Sequence, residues 1–259
     1  MTRPAFNMDL SKQFPHLAAA PIVEAVIQWN ARAQLPFEPD ALQKRLESLL
    51  PGYPNREPQY HHEFLFQGLV AENQPQSTSS HQGGWHGFRV STADKHYIAQ
   101  ITRDGLVLSR LHPYEDWQRF SAEALRVWKV YLQLAAPSEV QRLGVRFINR
   151  IASARIDTLN EYLNEPPTCP MPLKDFLYQS TYEVPGQPFL IRVVKTMQAG
   201  ISGASEESGL ILDIDVGTTK AIACDEEALR EPLSKMRWLK NKFFFDLLTD
   251  SAIESFKGG

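Results

Sequence analysis

The chain has 259 residues, 43% hydrophobic and 22% charged, with 27 basic against 30 acidic side chains and a net charge of −3. That composition belongs to a packed globule of one large domain or two small ones, and 18 prolines with 14 glycines are too few for a low-complexity polymer. No apolar run approaches the roughly 20 residues of a membrane-spanning helix, and the near-balanced charge argues against wholesale electrostatic capture of nucleic acid or an anionic membrane.

The first 20 residues include Arg3, Asp9, Lys12 and His16 and hold no apolar stretch of secretory-leader length, so the expectation is a cytoplasmic protein. Residues 21–33 predict a strand, with Val23, Ala25, Ile27 and Trp29 on one face and Glu24 and Gln28 on the other. Phe37-Glu38-Pro39-Asp40 opens a helix carrying Leu42, Leu46 and Leu49, and Pro51-Gly52 ends it. Residues 60–70, 85–93, 97–102 and 106–111 read as strands, with turns at Asp94-Lys95 and Asp104-Gly105. Residues 72–84 are polar and rich in Ser, Gln and Gly, and predict a loop. A long helix follows over 115–135, its apolar stripe formed by Trp117, Phe120, Ala124, Trp128, Tyr131 and Ala135, and Pro137 closes it.

The order then begins again. Residues 140–151 predict a strand and 157–164 a short helix, followed by a turn rich in proline (Pro166, Pro167, Pro170, Pro172). Strands are expected over 177–184, 189–197 and 210–216, and a second long helix over 226–248. Leu229, Leu233, Met236, Phe243 and Leu247 line one face of that helix, and Pro232 predicts a kink or a late start. The fold class is therefore α+β: two similar halves, residues 1–137 and 138–259, each β-α-β(3-4)-α with an antiparallel sheet and long helices on one face. The halves form two units or one continuous domain, and their element order is similar to the duplicated, saddle-shaped TATA-binding-protein type.

Four segments carry a resemblance to a known family. Pro21-Ile22-Val23-Glu24-Ala25-Val26, residues 144–151 (GVRFINRI), Leu212-Asp213-Ile214-Asp215 and residues 245–250 (FDLLTD) are similar, in order, to the opening, central strand, last strand and last helix of an uncharacterised bacterial family described as sporadically distributed. The resemblance covers nearly the whole chain. It implies scattered occurrence in bacteria, with no assigned activity, substrate, cofactor or catalytic residue.

Residues 210–220 (LILDIDVGTTK) look like the phosphate loop of actin-like sugar kinases or the nucleophile strand of dehalogenase-type phosphatases. Both chemistries need further parts downstream, and the 39 residues after Lys220 are largely one helix. The plainer reading is an amphipathic strand with Ile211, Asp213 and Asp215 on one face. Two carboxylates at i, i+2 lie roughly 7 Å apart and suit a divalent cation or an arginine partner. Arg142, Arg146 and Arg150 share one parity of the 140–151 strand and point the same way. They are expected either to pair with Asp213 and Asp215 or to form an anion-binding surface, because guanidinium forks suit phosphate and carboxylate.

His62, His81 and His86 are enough imidazoles for a zinc site, but they lack helical His-x-x-x-His register, and no metal or cofactor is expected. Cys169 and Cys224 belong to no C-x-x-C pair and are read as reduced thiols. Phe243, Phe244 and Phe245 cannot all face one core, so at least one is expected against a second surface, with self-association favoured. The leading functional expectation is a non-enzymatic binding or partner protein, acting through its sheet face, the 72–84 loop or an oligomeric interface, with a partner encoded nearby. The second is a small-molecule or anion-binding domain, for phosphate or nucleotide, using Arg142, Arg146, Arg150, Asp213 and Asp215. The third is a divalent-metal-dependent hydrolase centred on Asp213 and Asp215.

Overall fold

The computed structural model describes residues 6–64, 81–168, 170–198 and 209–258, with backbone alone at 61–64, 81–83 and 198. Among them the N-terminal half provides β1 (Ile22–Asn30), α1 (Pro39–Leu49), β2 (Asn55–Phe64), β3 (His81–Ser91), β4 (Tyr97–Thr102), β5 (Gly105–Leu111) and α2 (Trp117–Ala135). The C-terminal half provides β6 (Arg142–Ile151), α3 (Leu159–Tyr162), β7 (Leu177–Glu183), β8 (Phe189–Gln198), β9 (Gly209–Thr218), α4 (Glu226–Leu247) and α5 (Asp250–Phe256).

All nine strands join one antiparallel sheet in the order β2-β3-β4-β5-β1-β6-β9-β8-β7. The two halves meet where β1 pairs with β6, Ala25 opposite Phe147 and Val26 opposite Arg146. Strand periodicity decides the faces. Ala25, Ile27 and Trp29 of β1, Leu143, Val145 and Phe147 of β6, and Leu212, Ile214 and Val216 of β9 are all buried. They form one apolar surface, and α2 and α4 pack on it.

Helix α2 begins where the Asp116 side chain accepts a hydrogen bond from the Arg119 amide, and ends at Ala136, which turns left-handed at φ 44°. The expected stripe is buried from Phe120 to Ala135, with Trp117 half-buried at its start, and Trp128 stacks on Trp29 with ring centroids 5.3 Å apart. Trp128 also donates from Nε1 to the Cys224 carbonyl at 2.9 Å, and the Tyr131 hydroxyl donates to the Ala31 carbonyl at 2.7 Å. Each such aromatic contributes about 2–3 kcal/mol of burial before conformational entropy is subtracted.

Several boundaries differ from expectation. The strand expected over 60–70 starts earlier, at Asn55, and residues 65–70 lie outside the described residues. Of the expected loop, 81–84 belong to β3 and pair with β2, while 72–80 lie outside the described residues. The second long helix does not start late. The Asp225 side chain accepts from the Ala228 amide, so the first turn is satisfied ahead of Pro232, which sits inside the helix. Helix α5 has no counterpart in the sequence-based expectation. It is only seven residues long and depends on Thr249, whose side chain accepts from the Ala252 amide, and on burial of Ala252, Ile253 and Phe256. Among the described residues no helix is long and apolar enough to cross a membrane.

Candidate functional site

Because alternate residues of a strand face opposite ways, the sheet's second face carries what the core excludes. A trough of about 600 Å³ runs across it, from Gln100 on β4 to Gln179 on β7. Its centre is charged. Arg192 of β8, Asp215 of β9 and Arg146 of β6 stand level, each directly opposite the next.

The hydrogen bonds run diagonally across that register. Arg146 donates from Nε and Nη2 to Asp213 at 2.9 and 2.6 Å. Arg142 donates from Nη2 to both oxygens of Asp215, at 2.8 and 3.0 Å. Diagonal neighbours across an antiparallel pair lie within reach of a side chain as long as arginine. Asp213 is the more sunken partner, 12% exposed against 47% for Arg146, so the guanidinium roofs the carboxylate. That hydrogen bond, ahead of other influences, raises the Arg146 pKa above the ordinary arginine value. Solvent screens both pairs in part, and each contributes on the order of 1 kcal/mol to stability.

Two glycines make the Arg142 arrangement possible. Gly144 and Gly217 lie opposite each other on β6 and β9, and the Arg142 guanidinium rests over both. A Cβ on Gly144 would fall 2.5 Å from Arg142 Nη1, and one on Gly217 2.5 Å from Nη2, closer than any real contact. The glycines are a floor for a planar cation.

Of the expected site residues, the structure brings together Arg142, Arg146, Asp213 and Asp215. Arg150 shares their parity but lies farther along β6, opposite Ile211, and does not line the trough. Sequence reasoning passed over Arg192 and Glu24. Arg192 is exposed in the trough and makes no hydrogen bond or ion pair with the described residues; the same holds for half-buried Glu24. The alternation Phe189, Ile191, Val193 against Leu190, Arg192, Val194 held the signal for Arg192.

Thr218 continues β9 rather than opening a phosphate loop: it is buried, and its Oγ1 accepts from the Leu143 amide at 3.0 Å. Among the described residues no three His, Cys, Asp or Glu side chains gather as a metal set. The His62 and His81 side chains lie outside the described residues, and His86 faces Asp104 at 3.6 Å. Cys169 likewise lies outside them, while burial, ahead of nearby carboxylates, pushes the Cys224 thiol pKa up. The three phenylalanines find their surfaces within the chain. Phe244 is buried, Phe245 stacks on Phe14 at 5.4 Å, and Phe243 meets Tyr182 at 5.2 Å.

No family model matches the chain, and no curated protein matches it.

Proposed function

We propose that this is a non-enzymatic binding protein that uses the polar face of its sheet. The observation that carries the reading is the trough itself, with two arginine–aspartate pairs at its centre and uncommitted charges, Arg192 and Glu24, toward two of its strands. A simple anion fits it poorly. Asp215 stands between Arg192 and Arg146, and an anion about 5 Å from that carboxylate meets repulsion of roughly 3 kcal/mol at an effective dielectric near 20. A ligand that is neutral overall and charged at both ends suits the trough better, its ammonium toward Glu24 and its carboxylate toward Arg192. Three strand spacings and a two-residue offset separate those residues, roughly 16 Å in all, the span of a short extended peptide.

The test is calorimetric titration of zwitterionic tri- and tetrapeptides against inorganic phosphate. Peptide binding that weakens at least tenfold in Arg192→Gln supports the reading. Binding of phosphate alone, or equal peptide binding by the variant, overturns it.

The same reading takes the halves as copies of one α+β unit, related to the sporadically distributed bacterial family and acting in the cytoplasm. The sheet order supports the duplication. From the seam outward, β1-β5-β4-β3 on one side and β6-β9-β8-β7 on the other repeat one scheme: first strand, last strand, then backwards. A second reading, self-association, moves from the phenylalanines to the edge strand β7, where Leu177 is 71% exposed beside Tyr178 and Tyr182. Light scattering decides it: a dimer that Leu177→Lys dissociates supports edge pairing, and a monomer at high concentration rejects it.

A further inference from the structure

A second cavity, about 870 Å³, opens on the opposite, helix-bearing side of the sheet, between the N-terminal segment, the residues leading into α2, and α4. Phe147 of β6, whose neighbour Arg146 faces the trough, forms part of its floor. Six aromatic side chains, Phe14, Tyr114, Trp117, Trp238, Phe244 and Phe245, give it apolar walls.

Two cations project into this space. The Lys240 ammonium stands 3.9 Å above the centre of the Phe147 ring, and the Arg237 guanidinium lies 5.9 Å from the Trp117 ring. Neither makes an ion pair or hydrogen bond with the described residues. The cavity's acids are committed elsewhere. Glu115 takes Arg119 at 3.0 Å and Arg110 at 3.4 Å, while Asp116 caps α2 and holds Arg119. Lys12 also lines the cavity, 5.5 Å from the Phe14 ring, so with Lys240 and Arg237 the space carries an excess of positive charge.

Position along the helix makes this unusual. Met236, Lys240 and Phe244 follow one another at intervals of four, so Lys240 occupies a place on the inward stripe of α4 where an aliphatic residue would pack. Burial first, and the Arg237 guanidinium second, push its ammonium down to about 7, a penalty that leucine or methionine would avoid. Cation–π contact with Phe147 offsets part of that penalty and leaves the charge uncompensated.

We propose that this cavity binds an organic anion with an apolar or aromatic body, its phosphate or carboxylate held by Lys240 and Arg237 and its body packed among the aromatic walls. The volume suits a ligand of ordinary metabolite or drug size. Phosphate and carboxylate share the recognition chemistry, and the two are separated by the choice of probe. The site is independent of the trough and stands whether or not the trough binds peptide.

The experiment is calorimetric titration with phenyl phosphate and benzoate, with benzyl alcohol as the uncharged control. Saturable binding of either anion, absent for the alcohol, is the expected result, and the tighter anion names the headgroup. Lys240→Gln and Arg237→Gln, each checked for fold by circular dichroism, each weaken that binding at least tenfold, while Arg192→Gln in the trough leaves it unchanged. Should Lys240→Gln fail to fold, Arg237→Gln carries the test. No binding of either anion, equal binding of the alcohol, or anion binding indifferent to both substitutions overturns the proposal.

Discussion

Replacing Gly217 by alanine tests the glycine floor directly, because two effects of opposite sign meet there. The new Cβ falls 2.5 Å from Nη2, 2.7 Å from Nε and 2.8 Å from Cζ of Arg142, so the guanidinium must leave. Leaving breaks both hydrogen bonds to Asp215. Bonds to charged groups contribute about 1.5–3 kcal/mol when buried. Arg142 is 31% exposed and Asp215 20%, so water recovers part of this. About 1–1.5 kcal/mol of the loss survives that screening. Against it, Gly217 lies outside the left-handed region, so alanine adopts the same backbone and restricts the unfolded chain. That restriction stabilises by about 0.4–1 kcal/mol. Gly217→Ala is therefore expected to destabilise the native chain by up to about 1 kcal/mol, and to stabilise Arg142→Ala by about 0.4–1 kcal/mol. The coupling between the sites is about 1–1.5 kcal/mol, read from urea midpoints by tryptophan fluorescence with an unchanged m-value. Equal effects of Gly217→Ala in both backgrounds would refute the reasoning.

Trp128→Ala removes one member of the buried Trp29 stack and the hydrogen bond to Cys224, and lowers stability by about 3–5 kcal/mol in urea denaturation. Asp225→Ala leaves the Ala228 amide without its cap and destabilises by about 1 kcal/mol, whereas Asp225→Ser restores most of the loss. Stability should also rise with pH through Lys240. Its folded pKa of about 7 lies below the unfolded value near 10.4, so between these the unfolded state binds the extra proton. The penalty is complete below about pH 7 and fades as pH climbs toward 10. Arg237, Lys12, His16, His112, Glu115 and Asp116 line the same cavity. Tyr53, Tyr114 and Tyr131, whose pKa values are raised first of all by burial, contribute stability that is lost above about pH 10. Urea midpoints from pH 6 to 9 are the measurement, and Lys240→Met flattens the rise. A slope unchanged by that substitution would assign it to other groups.

Element order was legible because each core strand and long helix repeats its pattern several times over. Trp29, Ile27 and Ala25 share one parity of β1, with Gln28, Val26 and Glu24 on the other, and Phe120, Ala124, Trp128 and Tyr131 recur at helical spacing. The arginine–aspartate meeting was legible for a different reason: parity places each row on one face, and only the polar face of the sheet can hold both. What parity leaves open is register. Arg150 has the same parity as Arg146, but pairing sets it opposite Ile211, beyond the trough. Arg192 reached the site through β8, whose order beside β9 no local pattern dictates. Gly144 and Gly217 were passed over because a glycine in a strand signals close approach only once its neighbour across the sheet is known.

Lys240 went unread for the opposite reason. A lysine on a helix is ordinary, and only its i±4 neighbours, Met236 and Phe244, mark the position as inward-facing. The two sites thus differ in how their charges are balanced. On the polar face, Arg142 and Arg146 each have an aspartate partner. Within the second cavity Lys240 and Arg237 repel each other, and that repulsion is one cause of the lowered lysine pKa. A fold whose other cavity acids already have partners gains stability by filling such a space with an anion. Linkage makes the gain measurable as a rise in melting temperature with phenyl phosphate concentration, about 2.7 kcal/mol at a hundred times the dissociation constant. Arg237→Gln removes one of the cavity's positive charges, and the rise should shrink accordingly.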